Sequence, residues 1–119
     1  MLENSYIHNK WAQKHIDLIK KTAMEIWGSN ITFDEIKGTS APVPEFNWYV
    51  KIYSLFFIDF HYDRGILSIN LPVNDVFYGL SSLADEPVII GFDSLKPQNL
   101  YHNLKVLDRY LLQKMKEQN

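Results

Sequence analysis

The sequence predicts an α+β fold of two layers, with N- and C-terminal helices packed on one face of a mostly antiparallel sheet of about four strands. Three observations carry that expectation. Apolar residues recur at three- and four-residue spacing near both ends of the chain, period two takes over between Trp48 and Tyr62, and Asp63-Arg64-Gly65 supplies hairpin chemistry where the alternation ends. With 119 residues, 46% of them apolar and 22% charged, the chain has the size and composition of one folded domain covering residues 1–119. It contains no internal repeat, low-complexity tract or linker.

The opening helix is expected from about Ser5 to Trp27. Ala12, Ile16, Ile19, Ala23, Ile26 and Trp27 form its apolar stripe, while Lys10, Lys14, Asp17, Lys20, Lys21 and Glu25 fall largely elsewhere. Asn4 or Ser5 can cap its start and Gly28 suits a left-handed stop. Ile31-Thr32-Phe33 and Ile36 read as a short strand, broken at Gly38 to Pro44. From Trp48 to Tyr62 the alternation is long for one strand, so a bend or bulge is expected near Ser54. A tight turn at Asp63-Arg64-Gly65 leads to a returning strand, Ile66 to Leu71. Pro72 to Glu86 reads as a loop holding one helical turn around Ser81 to Ala84, and Val88 to Phe92 as an inner strand. Asp93 or Ser94 followed by Pro97 announces the closing helix, whose Leu100, Leu104, Leu107, Leu111 and Met115 keep helical spacing. Trp11, Trp27 and Trp48 are expected as core anchors.

Much chemistry is excluded. Without cysteine there is no disulfide, thiolate nucleophile or sulfur-bound zinc. The first ten residues lack the basic head and apolar stretch of a secretory signal, and no apolar run can span a bilayer, so the expected location is the cytoplasm. The five glycines lie far apart, so no phosphate-cradling loop forms and no cofactor is expected. His8 and His15 are two turns apart and His61 and His102 stand alone, so no metal site is announced. Asp59 and His61 leave one strand on the same face, which Tyr49, Lys51 and Tyr53 share. A carboxylate beside an imidazole can orient a general base, which is the case for a small hydrolase-like enzyme. The same spacing is common on solvated sheet faces, and that reading is preferred.

The net charge of −2 conceals a division. The opening helix, residues 5–27, carries four lysines against two acids, and the closing helix, residues 96–117, five basic residues against two acids. Residues 28–95 hold Lys37, Lys51 and Arg64 against nine acids, a balance of −6. If both helices cover one sheet face, the other face and its loops form an acidic surface suited to a basic protein partner. Its expected contact residues are Glu45, Tyr49, Tyr53, Asp59, His61, Asp63, Asp75, Tyr78, Asp85 and Glu86. The basic helical layer lacks a clustered lysine run or stacking aromatics, so nucleic acid is not an expected partner.

The plan of the chain resembles small bacterial immunity proteins, notably those paired with contact-dependent growth-inhibition toxins. The resemblance rests on the short cysteine-free chain, the Trp-bearing opening helix, the aromatic strands Phe46 to Tyr53 and Phe56 to Tyr62, and the leucine-rich closing helix. It implies a non-enzymatic cytoplasmic protein that neutralises a cognate toxin, often a nuclease, by tight one-to-one binding. It carries no diagnostic motif, so no site residue is transferred from it.

Overall fold

The computed structural model describes residues 10–39 and 43–118. Helix α1, Lys10–Trp27, buries Ala12, Ile16, Ile19, Ala23 and Trp27, one stripe of a 3.6-residue repeat. Gly28, at φ +52°, ends the helix in the left-handed conformation that lacks a Cβ penalty, and a 3-10 turn, Gly28–Asn30, leads into the sheet. The expected start near Ser5 and its cap lie outside the described residues.

Five strands follow: β1 Ile31–Thr39, β2 Glu45–Ile52, β3 Phe56–Asp63, β4 Ile66–Val73 and β5 Val76–Gly79. They lie in sequence order, each antiparallel to the last, and so form a meander. Phe46, Trp48, Val50 and Ile52 on β2, Ile58, Phe60 and Tyr62 on β3, and Leu67, Ile69 and Leu71 on β4 are buried on one face. Helix α1 and helix α3, Pro97–Glu117, cover that face, α3 through Leu100, Leu104, Leu107 and Leu111. The α+β class and the terminal helices are as the sequence predicts. Among the described residues no helix is long and apolar enough to cross a membrane.

Four details depart from expectation. The alternating stretch is two strands reversed at Tyr53 and Ser54, both at positive φ, where Leu55 N–H donates to Ile52 C=O (3.2 Å). Three residues separate the paired Ile52 and Phe56, so even-numbered residues stay on the buried face across the reversal. The parity that signals one long strand therefore survives a complete turn. Second, part of the supposed loop is β5, joined to β4 through Asn74 and Asp75, again both at positive φ. The expected helical turn does form, as α2, Leu80–Leu83.

Third, Val88 to Phe92 is not a strand. The Asn103 side chain takes the strand partner's place: its Oδ1 accepts from Ile89 N–H (2.9 Å) and its Nδ2 donates to Ile89 C=O (2.8 Å). Beside it, the Leu67 N–H on β4 donates to the Ser94 hydroxyl (2.9 Å), and Gly91–Asp93 forms a 3-10 turn. Ile90 and Phe92 are left 70% and 79% exposed. Fourth, Trp27 and Trp48 are core residues but Trp11 is 57% exposed. Its ring lies in the first turn of α1 against His15 (5.3 Å between centroids) and over Gly65, beyond the covered face.

Candidate functional site

Strand alternation assigns the uncovered face. β2 offers Glu45, Asn47, Tyr49 and Lys51, and β3 offers Phe57, Asp59, His61 and Asp63. The register continues through Ser68, Asn70 and Pro72 on β4 to Phe77 on β5. At the centre Asp59 is buried although it lies on this face. Asn47 Nδ2 donates to its two carboxylate oxygens (2.9 and 3.0 Å) and to His61 Nδ1 (3.1 Å), and His61 Nε2 lies 3.3 Å from Glu45 Oε2. Since Asn47 must donate to the carboxylate, His61 Nδ1 accepts and Nε2–H points at Glu45. Both ring nitrogens are engaged, and no imidazole lone pair remains to take a proton from a substrate.

Beside the polar network runs an aromatic row. Tyr49 stacks on Phe57 (5.2 Å between centroids, 16° between planes), and Phe57 meets Phe77 at 6.3 Å and 56°. Phe57 is 42% exposed and Phe77 45%. Aromatic surface beside satisfied polar groups is the composition of an interface centre.

Of the expected contact residues, Glu45, Tyr49, Asp59, His61 and Asp63 come together on this face. Tyr53 does not: its place in the turn swings it to the helical layer, where its hydroxyl donates to Asp108 Oδ1 (2.6 Å). Burial first, and then the bond to Asp108 and its charge, push the Tyr53 pKa up to about 12. Asp75 sits in the β4–β5 turn, and Tyr78 is in register with Leu71, on the helical side of the edge strand. Asp85 and Glu86 follow α2, and Glu86 is held by Arg109 of α3 at 2.7 to 3.1 Å. That bond draws the Glu86 carboxyl below its ordinary range.

The acidic surface is therefore thinner than charge counting implies. Asp63 pairs with Arg64 (3.0 Å), Asp93 with Lys96 (3.1 Å) and Glu86 with Arg109 (2.7 Å), and Lys37 and Lys51 share the open face. Asn47, Phe57 and Phe77 are the residues that sequence reasoning passed over. Strand parity alone could have placed the first two opposite the core; Phe77 was hidden with its strand. Among the described residues no group of three or more His, Asp or Glu could hold a metal ion. Comparison with protein-family models, with curated proteins and with solved structures finds no match.

Proposed function

We propose that the protein is a non-enzymatic binding protein, an immunity protein that neutralises a cognate toxin in the cytoplasm by docking it on the open sheet face. The observation that carries this reading is the row of Tyr49, partly buried, with the exposed Phe57 and Phe77, beside Glu45, Asp59 and Asp63, on a face that neither α1 nor α3 covers. The rings supply the apolar centre of an interface, and the carboxylates favour a basic partner, such as a nuclease surface built to grip phosphate. A hydrolase-like role for Asp59 and His61 is the weaker reading, because Asn47 and Glu45 occupy the imidazole.

The test is co-expression with the toxin encoded by the neighbouring gene. Expected is survival together with a one-to-one complex, and a loss of affinity of about 30-fold for Phe57→Lys, the scale of a central interface residue. Survival without a complex sinks the reading, as does a complex indifferent to Phe57→Lys.

A further inference from the structure

The two edges of the sheet are treated differently. At the β1 edge the register slips between Phe33 and Ile36, so Asp34 and Glu35 form a bulge, and Lys37 follows. A bulge and charges are the usual means of keeping an edge from pairing with another chain. The β5 edge has neither within the strand. Val76, Phe77 and Tyr78 are each about half exposed, and Asp75 stands in the preceding turn. Among the described residues no hydrogen bond reaches β5 from its outer side.

The hydrogen-bond phase identifies the free groups. Asn74 and Asp75 make a two-residue turn with both residues at positive φ, which makes Val73 and Val76 a hydrogen-bonded pair. Pro72 and Phe77 are then a non-bonded pair, so the Phe77 N–H and C=O point away from β4.

We infer that β5 pairs antiparallel with β5 of a second copy of this chain, about a twofold axis at Phe77, joining two five-stranded sheets into one of ten strands. The strand is self-complementary in this register. Phe77 exchanges both backbone bonds with its counterpart, Val76 faces Tyr78 of the other copy, and Asp75 faces Gly79, so no like charges oppose. The twofold keeps each open face on the same side, and the rows Tyr49–Phe57–Phe77 of the two copies meet as one band of six rings. Pairing centred on Phe77 also keeps the incoming strand clear of α2, which begins at Leu80. A four-residue strand alone makes a small interface, so the association is weak and concentration-dependent.

Sedimentation velocity of the chain alone, from about 10 µM to about 1 mM, covers the range in which an interface below standard size associates. Expected is a monomer–dimer equilibrium that shifts at least about tenfold toward monomer in Phe77→Lys, a charge of the kind that blunts natural edges. Amide exchange of Phe77 in the unsubstituted protein should slow as concentration rises, and needs no variant to fold. A chain that stays monomeric throughout, or a dimer in which Phe77 exchange is unchanged, overturns the inference. No partner is present in this measurement, so its failure leaves the docking of a toxin on the open face standing.

Discussion

Asp108 shows how one residue ties both helices to the sheet. It is buried on α3 and accepts from Trp27 Nε1 of α1 (2.9 Å) and from the Tyr53 hydroxyl of the β2–β3 turn (2.6 Å). Removing the carboxylate strands the buried Trp27 donor and the half-buried Tyr53 hydroxyl, so Asp108→Ala should cost about 3 kcal/mol in a denaturant titration, and Asp108→Asn, which keeps an acceptor, about 1 kcal/mol. Equal losses for the two would mean that packing, not the acceptor, matters there. A second polar contact gives the fold a pH range. The Tyr62 hydroxyl and His15 Nδ1 share a hydrogen bond (2.7 Å). Burial raises the Tyr62 pKa to about 12, as it does for Tyr53, so the folded state favours both neutral phenols. Their contribution is fully present below the unfolded value near 10 and is lost as pH climbs toward 12. For His15 the shift is downward, through burial first and then the Lys14 charge. Its contribution is present above the ordinary value near 6.5 and disappears as pH falls through the lower folded value. Denaturation midpoints measured between about pH 5 and pH 11 should therefore fall at both ends, with His15→Gln flattening the acid limb. A midpoint independent of pH across that range would contradict the assignment.

At the scale of elements, the reversals are where local sequence and backbone demand disagree. The β3–β4 turn has Arg64 and Gly65 at positive φ, and an added Cβ at Gly65 would stand 3.2 Å from Trp11 Cη2. Gly65→Ala should thus lose about 1–2 kcal/mol from the left-handed backbone alone, with the ring contact in addition. The β2–β3 turn asks the same conformation of Tyr53 and Ser54, neither a turn former of that kind. Ser54→Gly should therefore stabilise the protein by up to about 1 kcal/mol. Opposite signs in parallel urea titrations would establish that both turns are limited by backbone conformation. The same disagreement explains what could be read in advance. Period 3.6 in α1 and α3, and period two in β2 and β3, are consequences of burial against one core, and both were legible, as was the turn carrying Gly65. Tyr53 and Ser54 held no turn signal, and a three-residue loop that preserves parity left the alternation unbroken. Val88 to Phe92 has strand-like composition, but a strand is a property of its neighbour, and here the neighbour is the Asn103 amide. Half of the expected contact set fell on one face because parity is local; Tyr53, Asp85 and Glu86 did not, because turns and tertiary pairing decide them.

For the whole molecule, the division of charge between layers becomes a statement about which face the proposed basic partner would approach. The pairs Glu86–Arg109 and Asp93–Lys96 cancel acids at the helical layer and its flank, and Asp63–Arg64 cancels one at the open face, where Glu45 contacts His61 and Asp59 accepts from the Asn47 amide. A carboxylate bonded to an amide is not cancelled by it, and the field the open face adds at a distance is what guides encounter. The double change Glu45→Lys and Asp63→Lys should slow association with the partner about tenfold at low salt, an effect that shrinks as salt shortens the screening length to about 3 Å near 1 M. Glu86→Lys makes the same charge reversal beside α3, away from the open face, and should leave the association rate nearly unchanged. Stopped-flow rates at several salt concentrations separate the two. If Glu86→Lys slows encounter as much as the open-face pair, net charge rather than the open face steers the partner, and the docking site must be sought elsewhere.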